Sequence, residues 1–463
     1  MDPLMGEKSE ETQRNPVPQS HELKRSMGLI SATALGIGAM VGAGVFVLTG
    51  IGAGEAGPAL LLAFFWNGII ALIIGGCYAE LATMIPKTGG AYVWARPALG
   101  NKLAFFTGWC SWFAQLIACA FYAVAFGSFA SELIKSTDVG GGIDPTLMAS
   151  VALILLFAVN LVSTKNSSFA QILMAGLQMA IIALFVGFGI SALSGQQTPL
   201  EPFSPFFPEG ALGLLAAMGL TFIAFEGFEI IVQSSEEVRD PDRMIPQAIG
   251  ISIITVALLY VLTAIALLGT IAHPEDIPAY EHLASLGELG LVKAAGQILP
   301  HGTTIILVAA LASTGSALNA TIYGATRVAL AMARNRDLPD ALNKVTERGV
   351  PARSLLLNGV VILIAILILP IKDIAASADI MFIAVFMLVA ISLLRLRRSM
   401  PDRDRPFRLP FSPYLPWTVI VFGVALSLSL YHVSLAAWIV AVGWLIIGIA
   451  FRIAMPTDDN IGE

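Results

Sequence analysis

Apolar residues run in long blocks along this chain, parted by short clusters of polar and charged residues. An uninterrupted apolar block of about 20 residues is what a helix needs to cross the core of a bilayer. The pattern predicts about twelve spanning helices, near residues 28–53, 58–84, 103–133, 146–164, 168–194, 209–234, 247–271, 302–332, 354–371, 374–394, 414–431 and 434–454.

Within the first block, residues 36–46 read GIGAMVGAGVF, with glycines at 36, 38, 42 and 44. Each glycine costs a helix interior about 1 kcal/mol relative to alanine. Two readings fit. Loosened backbone in a bilayer is tolerated where it is buried in protein or lines a cavity, and a span broken near its middle offers amides and carbonyls to a substrate. Alternatively, the small residues admit a closely packed neighbouring helix. A second such place is TFIAFEGFE at 221–229, where Glu226 adjoins Gly227 and Glu229 follows in an otherwise apolar run. An ionisable residue at membrane depth costs at least about 2.5–3.5 kcal/mol and therefore marks a functional candidate. The plainer reading makes Glu229 a capping or pairing group near the cytoplasmic half and Glu226 a protonated packing residue.

The two interrupted spans are the first members of two five-helix blocks, spans 1–5 and 6–10. Because five is odd, the second block must run in the opposite sense to the first. Interrupted segments in matching positions of two halves predict an inverted-repeat transporter. The expected fold is an all-α polytopic membrane domain over 23–455, with repeats at 23–194 and 205–398 and two added helices at 410–455. Residues 1–22, polar and without the apolar core of a secretory signal, are expected to form a disordered cytoplasmic tail, and 456–463 a second cytoplasmic tail.

Composition agrees with a membrane protein. The chain is 56% hydrophobic and 13% charged, where soluble domains run to roughly half and a quarter. Orientation follows the placement of Lys and Arg. With the N-terminus inside, only Lys135, Lys293 and Lys372 of the 26 Lys and Arg fall outside, which predicts cytoplasmic termini. The run from Arg395 to Arg408 reads as an anchor against anionic lipid heads, and no nucleic-acid partner is expected. Cys77, Cys110 and Cys119 all fall inside spans, without metal-ligand spacing or a disulfide framework. No metal and no cofactor is expected. Trp109 and Trp112 could touch the site from span three, but read first as lipid or packing contacts. A P-loop, H-E-x-x-H and G-x-S-x-G are all missing from the sequence, which argues against an ATP-driven pump and a hydrolytic enzyme. An ion channel and an inorganic ion cotransporter stand as rivals to a carrier.

Several strings, taken in order, resemble the amino acid–polyamine–organocation superfamily. GIGAMVGAGVF resembles its first-helix signature, and PKTGGAY at 86–92 its second-to-third helix loop. FEGFE at 225–229, with EEVRDP at 236–241 and Ile245-Pro246, resembles its sixth helix and the connector after it. SALNATIYGATR at 316–327, leading to RNRDLP at 334–339, resembles its eighth helix. The resemblance implies the five-plus-five LeuT-type fold with discontinuous helices one and six, and alternating access in the plasma membrane. It implies a small-molecule substrate, an amino acid or related amine.

Carried over by motif position, Ala43 and Gly44 would offer amides to the substrate carboxylate, with Gly42 allowing close approach. Met40, Ile223, Ala224 and Glu226 would offer carbonyls to its ammonium. Relatives often carry Ser or Thr where this chain has Ala43, so the role there rests on backbone alone. Val41 completes the set, and Phe225 is a candidate for occluding it. The Glu226 side chain would face the substrate's side chain and favour a cationic or polar one; equally, it could carry a proton. Glu229 is the other candidate for proton relay or gating. Gln178 stands where some proton-coupled relatives have lysine, and an amide does not titrate near neutrality. Coupling through H+ at Glu226 or Glu229, through Na+ at carbonyls near Gly38 and Val41 with Ser313, Thr314 or Ser316, and uncoupled exchange all stay open.

Overall fold

The computed structural model describes residues 25, 27–86, 89–136, 142–162, 168–344, 346 and 351–455. The expected tails at 1–22 and 456–463 lie outside these residues, as do Lys87 and Thr88. Among the described residues the chain is helical, and extended pairing is confined to one isolated bridge between Met27 and Val238.

The helices are α1 Leu29–Val41, α2 Thr49–Ala56, α3 Leu60–Met84, α4 Gly90–Lys135, α5 Pro145–Val162, α6 Ser168–Ser194, α7 Gly210–Thr221 and α8 Phe228–Gln233. They continue as α9 Pro241–Thr270, α10 Ala279–Leu286, α11 Gly290–Ile298, α12 Gly302–Arg334, α13 Ala352–Ile368, α14 Ile371–Ser399, α15 Tyr414–Val433 and α16 Leu435–Ala454. Among the described residues, nine stretches are long and apolar enough to cross a membrane. One of them, Leu29–Met84, takes in the first two expected spans, which part at Gly57 and Pro58. Two expected spans are shorter apolar helices, Pro145–Leu161 and Ala352–Ile368. Helix α4 begins well before its expected start and kinks at Gly100, where φ is 81°, three residues after Pro97.

Helix α4 packs on α12 and α14, while α9 packs on α1, α3 and α6. The interrupted helices lie among them and are tied down at both ends. At one end the Met27 amide donates to Glu237 O at 2.9 Å and the Arg239 amide to Met27 O at 3.0 Å. At the other, Lys372 on α14 pairs with Glu55 on α2 at 2.5 Å.

The arginine run corrects one expectation, because part of it turns inward. Arg397 Nε donates to Glu80 at 2.8 Å, and its guanidinium also reaches the second carboxylate oxygen. Arg405, itself buried, lies 3.5 Å from the same carboxylate and donates to the Leu396 and Met400 carbonyls at 3.0 and 2.8 Å. The Leu409 amide donates to Glu80 at 2.8 Å. A fully buried carboxylate is tolerated only when paired and hydrogen-bonded, and that demand outweighs attraction to lipid heads. Trp109 and Trp112 are packing residues, as expected: Trp109 stacks on Trp444 with ring centres 4.6 Å apart, and Trp112 donates to Asn358 at 2.9 Å.

Candidate functional site

Both glycine-marked segments are breaks in helices. Helix α1 stops at Val41; Gly42 has φ 11° and ψ −125°, and a π-turn over Gly44–Leu48 leads into α2. Helix α7 stops at Thr221, and a 3-10 turn over Phe222–Phe225 follows. Glu226 is then extended at φ −74° and ψ 152°, and Gly227, at φ 118°, opens α8.

The breaks seat on one another. A Cβ added to Gly44 would lie 2.6 Å from Ala224 Cβ, and one on Gly227 would lie 2.8 Å from both Ala39 C and Met40 N. The two readings of the glycines thus hold together, since the loosened backbone is also the close-packed one.

Two hydroxyls meet these breaks. The buried Tyr260 hydroxyl on α9 stands 2.7 Å from Met40 O and 2.9 Å from Ala224 O, bridging the interrupted helices. Two carbonyls expected to face an ammonium therefore share a phenol, though each keeps a second lone pair. Ser313 Oγ on α12 donates to Gly42 O at 2.7 Å. Thr314, one residue on, donates within its own helix to Ala310 O at 2.7 Å. Ser316 lines a cavity of about 20 Å³ with Gly38 and Gln178. Gln178 is buried, and neither atom of its amide has a hydrogen-bond partner. Of the expected binding set, Val41, Ala43 and Ile223 are buried at the breaks. Phe225 packs between Phe64 and Tyr260, its ring centre 5.3 Å from that of Tyr260.

A second cavity of about 20 Å³ is lined by Ala39, Gln115, Tyr122, Glu226, Glu229 and Thr321, among others. Roughly 10–15 Å³ suffices for one water, so neither void holds a whole amino acid as the helices stand. Glu226 is 3% exposed, and neither of its carboxylate oxygens has a hydrogen-bond partner. Glu229 lines this cavity and also a smaller one, of about 10 Å³, with Tyr78, Ser111, Gln233 and Gly89. Asp379 on α14 is fully buried, and α14 packs against the 3-10 turn over Phe222–Phe225.

Sequence reasoning missed Tyr260, Gln115 and Asp379. Asp379 was findable, because an ionisable residue in the apolar run 374–394 meets the same criterion as Glu226. Tyr260 and Gln115 carry no such signal, since a tyrosine or amide in a span is ordinarily just a packing or hydrogen-bonding residue.

Comparison with known proteins places these features in company. A family model described as amino acid permease matches residues 27–451. The branched-chain amino acid permease BcaP of Bacillus subtilis is 29% identical over 442 residues, covering 92% of each chain. The methylthioribose transporter of the same organism is 28% identical over 444 residues, 93% of each chain. The vacuolar cationic amino acid transporter 4 of Arabidopsis thaliana is 29% identical over 403 residues, 82% of this chain and 65% of its own length.

Proposed function

The chain belongs to the amino acid permease family, and from that premise we propose that it is a secondary carrier moving an amino acid or related amine by alternating access, coupled to protons. The chain is a multi-pass membrane protein. In this reading it has twelve crossings in the plasma membrane, both termini cytoplasmic, and the five-plus-five repeat over 23–194 and 205–398.

The observation that carries the reading is the seating of the two breaks on each other at Gly44–Ala224 and Gly227–Ala39. A zwitterion needs donors and acceptors side by side. The start of the second half of helix one, with amides that have no preceding helical carbonyl and the positive end of a helix dipole, suits the carboxylate at Ala43 and Gly44. The carbonyls of Met40, Ile223, Ala224 and Glu226 suit the ammonium. The relatives carry names for a branched-chain amino acid, methylthioribose and cationic amino acids at nearly equal identity. Similarity alone therefore does not choose the substrate, and the choice falls to the side chains at the site.

Glu229 is the group best placed for coupling, because it lines both the central cavity and the one beside Gly89. A second reading has its own support: the void at Gly38, Ser316 and Gln178 is lined by neutral oxygen donors that would suit Na+. Reconstituted protein separates them. An inward proton gradient is expected to accelerate uptake several-fold without sodium, and Glu229→Gln to remove that acceleration while counterflow persists. Uptake that answers only to a sodium gradient would overturn proton coupling.

A further inference from the structure

Two voids share Glu229 as a wall. The larger, of about 20 Å³, is also lined by Glu226, Gln115, Thr321 and Gly324. The smaller, of about 10 Å³, is lined by Tyr78, Ser111, Gln233 and the Gly89–Gly90 turn between α3 and α4. Each exposes buried polar atoms that have no hydrogen-bond partner. In the larger these are both carboxylate oxygens of Glu226 and the amide nitrogen of Gln115; in the smaller, the hydroxyl of Tyr78. A polar void with room for a water and two or more polar partners takes one, whereas voids that stay dry are apolar. The larger void exceeds the roughly 10–15 Å³ that a water needs, and the smaller reaches its lower bound.

Besides Glu229, the two voids meet where two amides converge on a glycine. A Cβ added to Gly324 on α12 would lie 2.6 Å from Oε1 of Gln115, which lines the larger void. It would lie 3.2 Å from Oε1 of Gln233, which lines the smaller. Amides donate and accept hydrogen bonds but do not titrate near neutrality, so they order water without keeping a proton. The smaller void belongs to the end of the bundle where the described chain begins. Gln233 closes α8 four residues before Glu237, whose carbonyl accepts from the Met27 amide. In the reading above that is the cytoplasmic end.

We infer that the two voids form a proton exit distinct from the substrate's own path. Glu229 passes its proton to water in the smaller void and is left a carboxylate, and that water passes a proton on at the Gly89–Gly90 turn. Gln115, Gln233 and Tyr78 are positioning residues for the water, and the bare backbone of Gly324 leaves the junction open. Neither void admits an amino acid, so the passage serves protons alone. The inference rests on the proton-coupled reading above.

Gly324→Ala tests it. The added methyl meets the far end of a flexible glutamine, so the helix stands while the Gln115 amide is displaced at the junction. The full chain is placed in proteoliposomes with a trapped pH-sensitive dye and offered a labelled amino-acid mixture. Gly324→Ala is expected to cut both the acceleration by an inward proton gradient and the accompanying internal acidification at least fivefold. Counterflow at equal pH should stay within twofold of wild type. Adding Gln115→Asn, which keeps the amide and shortens its stem by one methylene, is expected to restore at least half of the lost acceleration. Tyr78→Phe, which alters the smaller void, is expected to lower the acceleration by the same measure and decides the matter where Gly324→Ala does not fold. Wild-type acceleration in either folded single variant overturns the passage. So does a parallel loss of acceleration and counterflow, or a loss that Gln115→Asn leaves in place, either of which would make Gly324 a packing residue only. Wild-type uptake that ignores the proton gradient would instead remove the coupled reading on which the passage rests.

Discussion

Gly227→Ala is expected to reduce transport by roughly tenfold or more in protein that still elutes as a folded species. Two costs add at this position. Its φ of 118° is one that side chains rarely adopt, which carries about 1–3 kcal/mol of backbone strain. The new Cβ would also meet backbone, 2.8 Å from Ala39 C and Met40 N, and overpacking of this kind costs about 1–3 kcal/mol. Backbone cannot rotate away as a side chain can, so the two breaks must part, and the carbonyls proposed to receive the ammonium move with them. Gly250→Ala is the matched control, because a Cβ there meets nothing within 4 Å and removes a helix-interior glycine. Initial uptake rates of the two variants, normalised to folded protein, check the expectation. Equal rates would mean that the contact between the breaks does not matter.

Glu80→Ala is expected to act on stability. It takes the carboxylate from Arg397 and Arg405, the latter 7% exposed, and strands the Leu409 amide that donates to it at 2.8 Å. Removing one partner of a buried ion pair costs about 3–5 kcal/mol, whereas replacing the whole group with apolar residues is often neutral. The thermal midpoint in detergent should therefore fall by several degrees, and Glu80→Leu combined with Arg397→Leu should recover part of the loss. An unchanged midpoint in Glu80→Ala would show that the pair ties α3 to α14 only in appearance.

Most of the long apolar helices and both breaks were legible because a bilayer forces each span to satisfy its own backbone; α10 and α11, short helices outside the long apolar blocks, were not. Four glycines within nine residues, or Glu226 next to Gly227, then stand out against an apolar background. Residues whose meaning depends on what packs across from them were not legible. Tyr260 lies 220 residues from Met40 in the chain, and nothing local distinguishes it from a packing tyrosine. The run from Arg395 to Arg408 misled for a related reason. Arginines at the end of a span ordinarily anchor to lipid, and only the burial of Glu80 recruits Arg397 and Arg405 inward. Asp379 had a signal of its own, an acid in an apolar run, and was overlooked all the same.

Counterflow tests the central claim most directly. Proteoliposomes would be preloaded with single unlabelled amino acids or amines and scored for uptake of a labelled amino-acid mixture. A carrier predicts saturable uptake accelerated by particular preloads. Flux that no preload accelerates, or that fails to saturate and rises steeply with voltage, would contradict the account and favour an ion pathway through the same bundle.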